Sequence, residues 1–147
     1  MKKGFEDKFM ELQSGLISLC IEITNKKVDN IYAYASIEEK SKAFNAFFSI
    51  GEEVKTLNQL GVNRDLVRQF LKLGTTDLDE IKKVCKEYEA ELPTEIKMYY
   101  DVKTGKYNAA FKYVAVCNAQ TGVSAGDVFM NWMGEVKQEY NGDRKQE

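Results

Sequence analysis

Glu95 and Lys97 stand two apart in an alternating run, residues 95–102, that reads as a β-strand, so their side chains share one face. Many metal-dependent nucleases use an acidic residue and a lysine at this spacing. Asp101 falls on the same face, and a carboxylate pair there is the arrangement that would hold Mg²⁺. The same residues also make an ordinary solvated strand face of alternating charge, and a helix, not a strand, precedes them. Other catalytic chemistry is poorly supplied. The chain contains no histidine, which excludes Ser-His and Cys-His nucleophile pairs, and zinc sites built on imidazole. Gly105-Lys106 has the tail of a P-loop, but Tyr100 stands where the loop's first glycine belongs. Gly122 and Gly126 do not form a dinucleotide fingerprint, and Asp77-Leu78-Asp79 lacks the remaining ligands and the glycine of a calcium loop. Cys20, Cys85 and Cys117 are far apart and odd in number, without a C-x-x-C pair, as expected of free thiols in a reducing compartment. Cys20 and Cys85 fall on apolar helix stripes, where a thiol is buried and inert. No enzyme activity, cofactor or metal is expected on these grounds.

Elements must position whatever chemistry remains. Phe5, Phe9, Leu12, Leu16, Leu19 and Ile23 recur at spacings of three and four and predict an amphipathic helix that ends at Asn25-Lys26-Lys27. Residues 31–37 alternate as a strand, 38–42 form a charged turn, and 43–50 return as the second strand of a hairpin. A third, short strand is expected over 54–57. Asn63 is placed to cap a helix that Gly74 ends, and Asp77, with Glu80 three residues on, opens a second helix that Pro93 stops. Residues 95–102 and 106–117 make a second hairpin about Gly105. Ser124-x-x-Asp127 opens a last helix with Phe129, Trp132, Met133, Val136 and Tyr140 on one face. The polar tail, 141–147, is expected to fray.

This order predicts an α+β fold: an antiparallel sheet built from two hairpins, packed by N- and C-terminal helices, with a helical pair inserted between the hairpins. The 147 residues suffice for one domain, 1–147, with a core of its own. A formal charge of −2 with both signs interspersed argues against a nucleic-acid partner, which would select a basic face. No apolar run reaches the roughly 18 residues that span a bilayer, and the start turns acidic before any apolar stretch, so a cytoplasmic protein without a leader is expected.

Strand parity separates two faces. Ile31, Ala33, Ala35, Ile37, Phe44, Ala46, Phe48, Ile50, Ile96, Met98, Tyr100 and Val102 point to the core, with the Phe5–Ile23 helix, the Phe129–Tyr140 helix or both packed on that side. Tyr32, Tyr34, Phe47, Tyr99 and Asp101 point away. An outer face rich in tyrosine suits a protein interface. Alternatively, a helix covers it. On the interface reading, the binding residues are Tyr32, Tyr34, Tyr99 and Asp101 on that face, with Glu38 and Glu39 at a hairpin tip that reaches a partner.

Asp29-Asn30-Ile31-Tyr32-Ala33-Tyr34-Ala35 and the Phe-rich strand 43–50 resemble the first hairpin of YezG-type immunity proteins. Residues 92–113 resemble that family's second hairpin, in which a strand ends in an acidic residue, a glycine turn follows and the return strand ends in an aromatic. Residues 127–137 resemble its closing helix. The middle, 58–91, is more helical and less acidic than the family pattern. The resemblance implies an antitoxin of the bacterial cytoplasm that neutralises the C-terminal toxin domain, often a nuclease, of a secreted or contact-dependent polymorphic toxin. Its partner is then a cognate toxin domain, not nucleic acid or membrane. A general protein-binding adaptor, or a metal-dependent nuclease using Glu95 and Lys97, are the alternatives.

Overall fold

The computed structural model describes residues 3–117 and 121–146, with side chains through residue 142. Met1, Lys2 and Glu147, which belong to the start and tail read above, lie outside the described residues. The elements are α1 (Phe5–Thr24), β1 (Asn30–Ile37), β2 (Lys42–Ile50), β3 (Glu53–Lys55), α2 (Arg64–Glu87), β4 (Glu95–Asp101), β5 (Tyr107–Lys112) and α3 (Ala125–Gln146). The five strands form one sheet in the order β3-β2-β1-β4-β5, every neighbouring pair antiparallel. The α+β architecture follows the sequence expectation: two hairpins, helices at both ends and helical structure between.

α1 ends as its composition requires. Asn25 and Lys26 adopt the left-handed conformation, and their N–H groups turn back to the carbonyls of Glu22 and Ile21. Ser124 and Asp127 form the expected capping box, with Asp127 N–H donating to Ser124 Oγ and Ser124 N–H to Asp127 Oδ2. Gly105, at φ 76°, makes the tight connection between β4 and β5 that a side chain would strain. Three local expectations fail. Strand β5 stops at Lys112, well before Cys117. The tail expected to fray continues α3 to Gln146. The two helices expected between the hairpins are one, because Gly74 lies inside α2 against the ring of Phe44. Asn63 caps this single helix as predicted, its side chain accepting from Asp65 N–H. The hydroxyls of Thr75 and Thr76, between the two expected helices, bond to the carbonyls one turn earlier, Leu71 and Lys72.

The molecule has three layers. One sheet face, bearing Ile31, Ala33, Ala35, Phe44, Phe48, Ile96 and Met98, packs beneath Leu16, Ile17 and Cys20 of α1 and Phe70, Leu78 and Ile81 of α2. Strand parity assigned this face correctly, except that Ile50, at the strand end, is exposed. The C-terminal helix is not part of this layer. α3 lies over the opposite face, where Phe129, Met133 and Val136 close on Tyr32, Tyr34 and Phe47. Three adjacent large aromatic side chains present too much apolar surface to leave in water, and covering them is worth about 25 cal/mol per Å².

Candidate protein-docking surface

The residues predicted to form a binding face do not form an exposed one. Tyr34 is 1% exposed, and Tyr32 is also buried. The Tyr32 ring stacks on Phe47 with centroids 4.7 Å apart, and Trp132 of α3 approaches it edge-on at 5.8 Å. Trp132 therefore packs as its helix stripe implied. Tyr140 seals the far end: its hydroxyl lies 3.1 Å from that of Tyr32 and donates to Ser49 Oγ at 3.1 Å. Tyr99 is half-buried, and its hydroxyl donates to Asn30 Oδ1 at 2.6 Å. Burial first, and then the bond to Tyr140, push the Tyr32 hydroxyl above its ordinary range. Burial, and then the contact with Cys117, do the same for Tyr34. These phenols are structural hydrogen-bonding groups at neutral pH.

The carboxylates of the predicted face are also committed. Glu38 Oε1 accepts from the N–H groups of Val116 and Cys117, both at 2.8 Å, and so ties the first hairpin tip to the segment after β5. Asp101 Oδ1 accepts from Lys103 and Thr104 N–H and shapes the β4–β5 turn. Glu39 is exposed at its tip.

Glu95, Lys97 and Asp101 share a face as expected, yet they are not convergent. Six strand steps of roughly 3.3 Å place Glu95 and Asp101 about 20 Å apart, too far for one cation. Glu95 is buried, with Tyr34 donating to it at 3.3 Å and the Lys112 ammonium 3.7 Å away. The Lys97 ammonium sits 5.6 Å from the centre of the Trp132 ring, a cation–π contact.

Exposed apolar surface lies elsewhere, where α1 and α2 run antiparallel. The buried stripe of α2, Phe70, Gly74, Leu78, Ile81 and Cys85, extends one turn backward to Leu66. Among the described residues that turn faces the last turn of α1 across an open groove, and nothing closes it. Leu66 is 54% exposed and Leu73 45%. With Leu19, Ile23 and Phe70 they line a groove of about 300 Å³. A second depression of about 440 Å³, bounded by Val28, Ile50, Leu60 and Val62, shares Ile23 and Leu66 with it. Leu66, Phe70 and Leu73 recur at helical spacing in the sequence. Their exposure is decided by the tertiary structure.

A scan against protein-family models matches no family, and a search of curated proteins returns no relative.

Proposed function

We propose that this chain is an immunity protein, a cytoplasmic antitoxin that binds and neutralises the C-terminal toxin domain, possibly a nuclease, of a secreted or contact-dependent polymorphic toxin. It acts by binding another protein, not by catalysis. The observation that carries the binding reading is the apolar groove at the α1–α2 junction, with Leu66 and Leu73 left in solvent beside the partly buried Ile23. Exposed leucines contiguous with a core and rimmed by polar residues such as Glu22 and Gln69 have the composition of an interface centre and its rim. The antitoxin specificity is supported by the resemblance of both hairpins and the closing helix to YezG-type proteins. The former enzyme candidates Glu95 and Lys97 are engaged in packing, which favours binding over chemistry.

The test is co-expression with the protein encoded beside this chain. The expected result is that its C-terminal domain arrests growth alone, that this chain restores growth, and that the two co-purify as a one-to-one complex. A neighbouring domain that is harmless, or toxic but not rescued, defeats the antitoxin reading. Capture of several unrelated proteins with equal affinity would instead identify an adaptor.

A further inference from the structure

β5 closes one edge of the sheet, and among the described residues nothing pairs with its outer side. Asp101 N–H donates to Lys106 C=O, which sets the alternation of the β4–β5 ladder. Asn108, Ala110 and Lys112 therefore bond toward β4. The N–H and C=O groups of Tyr107, Ala109 and Phe111 point outward. Among the described residues the one bond made there is local, from Ala109 N–H to the side chain of its neighbour Asn108 at 3.1 Å. The opposite edge differs: β3 has three residues and lies against α3.

The edge has a chemical character on each side. Toward α1, Phe111 is 36% exposed although it touches Phe9, and past the strand end Tyr113 and Val114 are exposed, Val114 at 70%. Toward α3, the exposed residues are Asn108, Ala110 and Lys112. Residues 102–126 hold three lysines, Lys103, Lys106 and Lys112, and no Asp or Glu, in a chain whose formal charge is −2. The Lys103 and Lys112 ammonium groups lie 3.8 and 3.7 Å from Asp29 and Glu95 but remain largely exposed. Edge lysines repel indiscriminate strand pairing and favour a strand of opposite charge. They also disfavour a second copy of this chain, since antiparallel self-pairing centred on Ala109 would set Lys106 opposite Lys112.

We infer that the outer edge of β5 is a docking site for one extended, acidic segment of a protein partner, which adds to the sheet as a sixth strand. Alternate side chains of that segment extend the apolar core past Phe111, and the others present carboxylates to the lysines. The inference rests on the protein-binding reading above and places a backbone-mediated contact at the opposite end of the sheet from β3.

The probes are two blocked eight-residue peptides, one alternating Glu with Val and the other Lys with Val, added to the isotope-labelled full chain. The Glu peptide should shift the amide resonances of Tyr107, Ala109 and Phe111, slow their hydrogen exchange, and bind about tenfold more tightly than the Lys peptide at low salt. Ala109→Pro removes an outward donor and should abolish binding. Because a proline could also disturb folding, Lys103→Glu combined with Lys106→Glu supplies a second arm, which should reverse the preference between the peptides. Equal binding of both peptides, shifts confined to other surfaces, or a concentration-dependent dimer through the same amides would overturn the inference. The outcomes separate from the antitoxin test. Growth rescue without peptide binding removes the edge proposal alone, and peptide binding without rescue removes the antitoxin reading alone.

Discussion

Glu95 shows how a residue with catalytic potential becomes structural. Its side chain is buried on the sheet face beneath α3, where the Tyr34 hydroxyl and the Lys112 ammonium are its partners. Removing a donor from a buried charge costs more than the bond itself contributes, since the carboxylate remains desolvated. Tyr34→Phe is therefore expected to lower stability by about 1–3 kcal/mol, read as a lower urea midpoint with an unchanged slope. An unchanged midpoint would mean that the hydroxyl does not serve Glu95. The tyrosines also set the alkaline limit. Burial raises the hydroxyls of Tyr32, Tyr34 and Tyr107 above the ordinary value of 10. The unfolded chain thus loses these protons first. Their contribution to stability is complete below pH 10 and is lost as pH rises from there through the higher folded values. Urea midpoints should be flat below about pH 9 and fall steadily above about pH 10, with a weaker fall in Tyr34→Phe.

At the scale of elements, α2 depends on an absent side chain. Gly74 lets the helix backbone sit on the face of Phe44, whose ring in turn contacts Phe70 at 5.3 Å. A Cβ at position 74 would overlap that ring. In an exposed helix, Gly to Ala gains about 1 kcal/mol, but overpacking a core costs about 1–3 kcal/mol. Phe44 is buried between the sheet and α2, so overpacking should win. Gly74→Ala is expected to be destabilising, and its penalty should shrink in a Phe44→Leu background, where the ring is gone. Denaturation of the four members of this cycle measures the coupling directly. A stabilising Gly74→Ala would show that the helix can move off the sheet.

For the whole molecule, the two sheet faces carry different burdens. Both are closed by helices, so the proposed contacts are the groove at the α1–α2 junction and the β5 edge, while the tyrosine face is part of the core. Leu66→Glu with Leu73→Glu should change the thermal midpoint little, because both side chains are already about half in water. The same pair should weaken the partner complex by about 2 kcal/mol or more if the groove is the interface centre. Tyr32→Ala should do the reverse, losing about 3–5 kcal/mol of stability as the stack on Phe47 and the bond to Tyr140 disappear. Circular dichroism melts alongside affinity measurements check both. Loss of binding in Tyr32→Ala with the melt unchanged would return the interface to the tyrosine face.

The period of the sequence by itself determined the α+β class, both hairpins, the parity that separates Ile31 from Tyr32, the caps at Asn63 and Ser124, and the apolar stripes of α1 and α3. Each is a local property, written in spacings of two, three or four residues and in the hydrogen bonds of neighbouring side chains. Only the tertiary structure decided what those local choices meet. Gly74 reads as a helix end unless Phe44, thirty residues earlier, lies against it. Tyr32 and Tyr34 read equally as interface or core until α3 is known to cross that face. Leu66 lies on the stripe of Phe70 and Leu78, and only the structure shows it beside an open groove with Ile23. Periodicity says which residues share a face. Whether that face meets water depends on where elements distant in sequence are placed, and no spacing along the chain encodes that.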